Sequence, residues 1–406
     1  MFKPTAVLGL LALTTLAIAQ SSRGLQRVSN FGTNPSNLLM DVYIPDNLPS
    51  RPPLLLGIHW CTGSGEAFYS GTEWKQMADK YKFIVIYPSV TRTYGNKCYD
   101  VGSTASITHL GGSDSLSMYN MVQYALQTYN ADSSRVFVTG HSSGGMSTQM
   151  MLGSYPEVFK AGAAFAGVPF ACFNPPDASL WNGDCATGKK VKTASQWGDL
   201  VRSAYPGYSG SRPRVMLWHS DNDDVVYYTN FGEAIKQWTN VLGVSQSPSS
   251  TDKPQSTWTR TRYRDNSGTV QVEAVSVQGG GHNVLVPGMA QYVVDFFGLN
   301  QPSTGTPTTT VRTTTTGGNT QPTTQPGASC TDVAPSGDYT CAQQAGWGKC
   351  TESWMANYCN ASCGRCNGSG SPTTTTRLQT TTQQPPRTTT TTRPPTSSGA
   401  PLYGQW

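Results

Sequence analysis

Residues 21–300 predict an α/β fold, in which helices cover both faces of a mostly parallel β-sheet. Short apolar runs rich in strand-forming residues recur along this region, and between them lie stretches with an apolar residue at every third or fourth position. Buried strands that alternate with helices are typical of parallel sheets. The strand-like runs are residues 54–59, 83–87, 135–139, 215–218 and 270–277, and the helical stretches are residues 74–81, 118–129, 146–152, 231–242 and 289–297.

The N-terminal residues have the composition of a secretory signal peptide. Lys3 gives a positive start, residues 6–18 form a short apolar run, and small residues before Gln20 suit cleavage. A membrane anchor is the alternative, but the run is shorter than the roughly 20 residues that span a bilayer. We therefore expect residues 1–19 to be removed and the mature chain to be secreted and extracellular.

The charge of the chain argues against two classes of partner. Its 28 Lys and Arg residues exceed its 23 Asp and Glu residues by five, yet no basic run or stripe accompanies this excess. Neither a nucleic acid nor a membrane surface is therefore an expected partner. We expect a monomer.

Beyond Asn300 the composition changes abruptly. Residues 301–329 and 367–400 consist largely of Thr, Pro, Gly and Gln, and segments with so little to bury behave as extended linkers. Between them, residues 330–366 hold six of the ten cysteines. A segment this short depends on disulfides for its stability. We therefore expect a separate disulfide-rich module after a main domain of residues 20–300.

A candidate nucleophile follows one of the predicted strands. Gly140-His141-Ser142-Ser143-Gly144 matches the G-x-S-x-G nucleophile elbow, and it stands between the strand at 135–139 and a helical stretch. The motif requires this context, because a tight strand-to-helix turn exposes the serine hydroxyl and glycines avoid clashes there. An ordinary Gly-Ser turn is the alternative. The motif predicts Ser142 as the nucleophile of an α/β-hydrolase, with the amide of Ser143 as one donor to the oxyanion.

A serine nucleophile needs a histidine base and an acid that orients this base. The chain has five histidines: His59, His109, His141, His219 and His282. Only His282 lies late in the chain, between the run 270–277 and the last helix, where α/β-hydrolases place the base. The acid should follow an earlier strand. Three aspartates follow the run at 215–218: Asp221, Asp223 and Asp224. The residues alone do not choose among them.

Several separated blocks resemble one family of enzymes. They are His59-Trp60-Cys61-Thr62-Gly63, Cys98-Tyr99-Asp100-Val101, residues 108–115, the elbow, residues 164–169 and residues 196–202. Together they resemble carbohydrate esterase family 1, and in particular its fungal acetylxylan esterases and feruloyl esterases, over residues 25–299. The resemblance implies an α/β-hydrolase fold and a serine mechanism that uses no metal and no cofactor.

The same resemblance assigns the remaining site residues. The family pattern His-Gly-x-x-Asp selects Asp223 as the acid, although Ser220 stands where glycine is usual, and Asp221 is the reserve. The base of the family falls on His282, and the amide of Cys61 is implied as the second oxyanion donor. Two disulfides of the catalytic region are also implied: Cys61–Cys98 and Cys172–Cys185.

The six-cysteine segment ends in Cys-Asn-Ala-Ser-Cys-Gly-Arg-Cys at residues 359–366 and resembles ShK-like toxin domains. The resemblance implies that the first cysteine pairs with the sixth, the second with the fourth and the third with the fifth: Cys330–Cys366, Cys341–Cys359 and Cys350–Cys363. Channel blocking by such toxins depends on a lysine beside an aromatic residue, and no lysine lies between Cys350 and Cys366. We therefore interpret the module as an accessory domain. A zinc site is the less favoured alternative, because secretion favours disulfides.

Two shorter signals lie at the end of the chain. Asn360 and Asn367 stand in glycosylation sequons. Residues 401–406, Pro-Leu-Tyr-Gly-Gln-Trp, resemble the opening of a fungal cellulose-binding module. We interpret them as its vestige or as an altered C-terminus, with chance resemblance as the alternative.

These patterns predict a secreted serine esterase that removes acetyl groups from xylan in the plant cell wall. A feruloyl esterase that releases ferulate from arabinoxylan is the alternative in the same class, although residues 108–115 look more like those of acetylxylan esterases. An inactive carbohydrate-binding protein is the alternative from another class, and a poly-hydroxyalkanoate depolymerase is a third hypothesis. Plant cell-wall xylan or arabinoxylan is the expected partner.

Overall fold

The computed structural model describes residues 24–301 and a few isolated positions between 341 and 363. Other predicted features lie outside the described residues: the signal peptide, the linkers beyond Gln301, the sequons at Asn360 and Asn367, Cys330, Cys366 and the tail at 401–406. The chain divides into two units between Pro307 and Thr308, and each unit is described on its own.

One ten-stranded sheet organises the first unit. Its strands are β1 (Gln26–Val28), β2 (Leu39–Tyr43), β3 (Leu54–Ile58), β4 (Ile84–Ser89), β5 (Val136–His141), β6 (Ala161–Phe165), β7 (Arg214–Ser220), β8 (Ser250–Gln255), β9 (Trp258–Arg264) and β10 (Val270–Val277). The central strands run parallel in the order β4-β3-β5-β6-β7-β10. Antiparallel strands extend both edges, β2 and β1 on one side and β9 and β8 on the other.

Helices cover both faces of this sheet. Within the described residues they are α1 (Gly65–Gly71), α2 (Trp74–Tyr81), α3 (Ser113–Thr128), α4 (Ser143–Ser154), α5 (Gly183–Ala186), α6 (Ala194–Ala204), α7 (Thr229–Val241) and α8 (Met289–Phe297). One core cluster buries Met118 and Trp197 beneath α3, α4, α6 and α7. The other buries Phe68, Trp74 and Val293 beneath α1, α2 and α8. The predicted α/β architecture is therefore confirmed. None of these helices is long and apolar enough to cross a membrane.

Helices α2 and α8 span the residues that their apolar spacing predicts, whereas no strand is predicted at β6. This strand is Ala-Gly-Ala-Ala-Phe, and alanine and glycine are depleted in strands. Helix α4 packs so closely over β6 that a Cβ on Gly162 would lie 2.7 Å from Leu152 Cδ1. The space beneath α4, rather than strand propensity, therefore determines the composition of β6.

In the second unit, the structure describes four of the six cysteines and joins them in two disulfides: Cys341–Cys359 and Cys350–Cys363. Met355 is buried against Cys341 and Cys359. These are two of the three pairs that the ShK-like resemblance implies, while the third lies outside the described residues.

A chain that ends at Gln301 should keep the stability of the first unit, because every strand and helix of the sheet precedes this residue. We expect its Tm, measured by circular dichroism, to lie within about 2 °C of the corresponding transition in the full chain, a difference of less than ~1 kcal/mol for a domain of this size. A fall of about 5 °C or more would show that the C-terminal residues stabilise the sheet.

Candidate active site

Three side chains meet at the carboxyl edge of the parallel strands, where open α/β sheets bind their ligands. Ser142 follows β5, Asp223 follows β7 and His282 follows β10. The His282 ring lies between the other two side chains. Its Nε2 is 2.9 Å from Ser142 Oγ, and its Nδ1 is 3.0 and 2.9 Å from the two carboxylate oxygens of Asp223. The structure thus joins the predicted nucleophile, base and acid in one series of hydrogen bonds.

Ser142 has a backbone conformation that side chains rarely adopt. Its φ of 56° and ψ of −120° are unfavourable for any residue with a Cβ. Its amide donates to the carbonyl oxygen of Phe165 on β6 at 2.9 Å, and α4 begins at the next residue. The turn between β5 and α4 is therefore held by the neighbouring strand.

Glycines make this turn possible because α4 begins directly against two strands. A Cβ on Gly144 would overlap the carbonyl oxygen of Ile58 on β3, and a Cβ on Gly145 would overlap that of Phe165 on β6. These obstacles are backbone atoms, so no side-chain rotation could relieve the overlap. Gly145 lies outside the five-residue motif, and the Gly-Gly pair is the sequence signal that could have identified it.

Asp223 is buried and ionised. Its side chain is 0% exposed, and burial opposes ionisation. Hydrogen bonds from His219, His282 and the amide of Val226 outweigh this cost and hold the pKa of the carboxyl well below its usual range. The amides of Val225 and Val226 donate to Oδ1 at 3.0 and 2.8 Å, and His219 Nε2 lies 3.3 Å from Oδ2. A carboxylate held in this way can orient an imidazole and stabilise its protonated form.

The neighbours of Asp223 hold the loop that carries His282. Asp221 Oδ1 accepts a hydrogen bond from the amide of Gly279 at 2.9 Å, and Asn222 Oδ1 accepts one from the amide of Gly281 at 2.8 Å. Asp221, the reserve for the acid, is exposed and bonds to this loop instead of to the imidazole. Asn222 has a positioning contact that the sequence analysis missed.

Two distant residues hold the same loop from other directions. His141 Nε2 lies 2.9 Å from the carbonyl oxygen of His282. Both carboxylate oxygens of Glu73 accept from the amide of Gly288 at 3.0 Å. These partners are 141 and 215 residues apart in the chain, so no local sequence signal could have identified either contact.

The two predicted oxyanion donors, the amides of Cys61 and Ser143, lie on segments that are joined to each other. Ser143 opens α4, where backbone amides have no acceptor within the helix. Cys61 forms a disulfide with Cys98, and the amide of the next residue, Tyr99, donates to Ser143 Oγ at 2.7 Å. Within residues 24–301 neither amide has a protein acceptor, so both can donate to a developing negative charge.

Two further histidines, His141 within the elbow and His59 after β3, are buried. Burial lowers the pKa of each to about 4, so both rings are neutral near pH 7. The neutral form accounts for the contacts of His59, whose Nδ1–H donates to the carbonyl oxygen of Trp60 while Nε2 accepts from the amide of Val90 at 3.4 Å. His59 therefore links the end of β3 to the end of β4.

The second disulfide of the first unit, Cys172–Cys185, lies in the segment between β6 and β7. The amide of Tyr227 donates to the carbonyl oxygen of Ala186 at 2.8 Å, which connects this segment to the loop that carries Asp223, the predicted acid. Among the described residues, no group of three or more His, Cys, Asp or Glu side chains is arranged to hold a metal ion.

Comparison with known proteins gives consistent matches. Residues 74–241 match the model of the prolyl oligopeptidase family. Acetyl xylan esterase from Aspergillus awamori has a similar structure, with a TM-score of 0.64 and 38% identity over 68% of this chain and 99% of that chain. Feruloyl esterase B of Talaromyces stipitatus is 44% identical over 278 residues, 68% of this chain and 76% of that protein. Acetylxylan esterase A of Aspergillus oryzae is 43% identical over 271 residues, 65% of this chain and 85% of that protein.

The sheet, its covering helices and the similar solved structure define an α/β-hydrolase. The chain belongs to the family of fungal acetylxylan esterases and feruloyl esterases that these relatives represent. It is a carboxylic ester hydrolase, as the resemblance of its separated sequence blocks to carbohydrate esterase family 1 implies.

We expect the free energy of unfolding to fall as the pH is lowered from about 6.5 to about 4. The pKa of His59 is about 4 in the folded chain, below the ordinary histidine value of 6.5, so the unfolded state alone takes up this proton between the two values. The stability from neutral His59 is present above pH 6.5 and is lost as the pH falls to about 4. Urea unfolding at a series of pH values measures this slope. His59→Gln, which keeps a neutral side chain, should reduce this slope by the contribution of one proton, while His141, whose pKa is also lowered to about 4, keeps its own contribution. An unchanged slope would contradict a buried neutral ring at His59.

Proposed function

We propose that this chain is an acetylxylan esterase that acts through an acyl-enzyme, with Ser142 as nucleophile, His282 as general base and Asp223 as orienting acid. The series of hydrogen bonds from Ser142 Oγ through the imidazole to the ionised carboxylate carries this proposal. A serine hydroxyl at its ordinary pKa is a weak nucleophile, and an adjacent imidazole that accepts its proton activates it.

The reaction then has two halves. In the first, His282 Nε2 accepts the hydroxyl proton while Ser142 Oγ attacks the ester carbonyl carbon. The tetrahedral intermediate collapses as the imidazolium gives this proton to the departing sugar oxygen, which leaves an acetylated serine and a free sugar hydroxyl. In the second, His282 takes a proton from water, the oxygen of this water attacks the acetyl carbonyl, and the proton returns to Oγ as acetate leaves. Asp223 stabilises the imidazolium in both halves and stays ionised.

The amides of Cys61 and Ser143 donate to the carbonyl oxygen as it gains negative charge. Fixed N–H donors need no reorganisation when the charge develops, and removing one such donor costs roughly 10²–10³ in kcat. The Cys61–Cys98 disulfide and the bond from the Tyr99 amide to Ser143 Oγ support this role, because they fix the two segments that carry the donors.

Two observations favour acetyl as the acyl group. Residues 108–115 resemble the corresponding block of acetylxylan esterases, and the similar solved structure at 38% identity is an acetyl xylan esterase. Feruloyl is the second candidate, because the relatives from Talaromyces stipitatus and Talaromyces funiculosus are named feruloyl esterase B. One apolar group changes the discrimination between two substrates by only about 1–3 kcal/mol. A few substitutions around the bound acyl group can therefore separate acetyl from feruloyl specificity.

We further propose that the enzyme is secreted as a monomer and acts on xylan or arabinoxylan. The disulfides of the described residues support secretion, because disulfides persist in oxidising compartments. In this proposal the signal peptide is removed, Asn360 and Asn367 are glycosylated, and a ShK-like accessory module stands between two Thr- and Pro-rich linkers. The proposed signal peptide is residues 1–19 and the esterase domain is residues 20–300. The first linker is residues 301–329, the ShK-like module is residues 330–366 and the second linker is residues 367–400.

Substitutions at the three side chains test the mechanism. Ser142→Ala or His282→Ala should lower kcat on a small acetyl ester by roughly 10⁴ or more, because only oxyanion stabilisation and binding remain. Asp223→Asn should also cost orders of magnitude, since the imidazolium loses its counter-charge. Asp221→Asn should cost far less, and the exposed Asp224→Asn serves as the matched control. If Asp221→Asn inactivates the enzyme and Asp223→Asn does not, the acid is assigned to the wrong residue.

Acetylated xylo-oligosaccharides should be better substrates than methyl ferulate. The measurement is kcat/KM for both esters at equal enzyme concentration, with Ser142→Ala as the blank. We expect the ratio to favour the acetyl ester by about tenfold or more, the discrimination that roughly 1.4 kcal/mol gives. A ratio that favours ferulate by about tenfold would overturn the acetyl assignment and leave the roles of the three side chains intact.

A further inference from the structure

A buried ion pair between Arg92 and Asp114 contacts the backbone of residues 98–100, the segment that is linked to both proposed oxyanion donors. The side chain of Asp114 is 0% exposed and that of Arg92 is 10% exposed. Arg92 Nη1 and Nη2 donate to the two carboxylate oxygens at 2.8 and 2.5 Å. Burying two charges is costly, and their attraction offsets this cost only in a well-fixed geometry with further hydrogen bonds. Such a pair is a rigid point in the fold.

The further hydrogen bonds of this pair go to one short backbone segment. Arg92 Nη2 donates to the carbonyl oxygen of Cys98 at 2.7 Å, and the amide of Asp100 donates to the carboxylate of Asp114 at 2.8 Å. Tyr99 stands between these two anchored residues. The orientation of its peptide groups is therefore determined by the ion pair.

This segment reaches both oxyanion donors. Cys98 is bonded through its disulfide to Cys61, which carries one donor amide. The amide of Tyr99 donates at 2.7 Å to Oγ of Ser143, which carries the other. One rigid pair is thus connected by short paths to both amides.

We propose that Arg92 and Asp114 are positioning residues of the oxyanion hole, which set the spacing between the amides of Cys61 and Ser143. The inference rests on the proposed function, because it concerns the donors assigned there. Neither side chain acts on the reacting atoms; both act through the segment around Tyr99. The donors must lie within hydrogen-bond distance of the position that the oxygen occupies in the transition state. A small displacement of the donors therefore reduces the stabilisation of the transition state more than it reduces the binding of the substrate.

Arg92→Lys tests this role, because lysine keeps the charge but lacks the planar fork that reaches both carboxylate oxygens and the Cys98 carbonyl. We expect kcat on a small acetyl ester to fall by roughly 10- to 100-fold while KM changes by less than about twofold. The affinity for a trifluoromethyl ketone, which forms a tetrahedral adduct with the serine, should fall by a similar factor. A merely structural role would not shift this affinity in step with kcat.

Arg262→Lys is the matched control. Arg262 Nε donates to Glu273 Oε2 at 2.8 Å in a partly buried pair between β9 and β10, and this variant should lose stability without losing kcat. If the native enzyme shows no esterase activity, or if Ser142→Ala retains it, the proposed function fails. The positioning role is tested separately, when the native enzyme is active and Ser142→Ala is not. It is then overturned if Arg92→Lys lowers kcat no more than Arg262→Lys does, or if Arg92→Lys changes KM alone. Asp114→Asn breaks the pair from its other side and decides the question if Arg92→Lys does not fold.

Discussion

The first turn of α4 approaches strands β3 and β6 so closely that a Cβ has no room at Gly144 or Gly145. This approach accounts for the unusual backbone of Ser142, because the chain must reverse from strand to helix within one residue. It also brings Gly144, the residue after Ser143, against the backbone carbonyls of Ile58 and His59 at the end of β3. The proposed nucleophile and the proposed oxyanion donors therefore share one backbone framework.

Two buried carboxylates serve the site in different electrostatic ways. Asp114 is neutralised by a guanidinium, so it holds backbone firmly but exerts little net field. Asp223 is instead held by amides and by imidazoles, none of which carries a permanent charge. In the proposed mechanism, its negative charge is therefore available to His282 when the imidazole becomes protonated. A cation beside Asp223 would hold the loop as well but would reduce this stabilisation.

The sequence predicts best what is local. Ser142 lies in a five-residue motif between a strand and a helix, and His282 is the one histidine late in the chain. The residues alone do not choose the acid, because three aspartates follow the same strand; the family resemblance selects Asp223, and burial separates it from its exposed neighbours. Strand β6 was missed because the helix above it determines its small residues. Contacts such as that between Glu73 and Gly288 join segments that only the folded sheet brings together.

Among the strands in residues 24–301, β10 is the last to leave the ribosome, and it pairs in parallel with β7. A nascent chain that has emerged as far as α7 already contains the serine and the acid, but its imidazole is still missing. If the proposed roles hold, the chain therefore gains activity only once β10 has joined the sheet of residues 24–301. In the same mechanism, separation of β10 from β7 would withdraw the imidazole while β4, β3, β5, β6 and β7 stay paired. Loss of activity during mild denaturation would then report the separation of β10 from β7, before the remaining parallel strands separate.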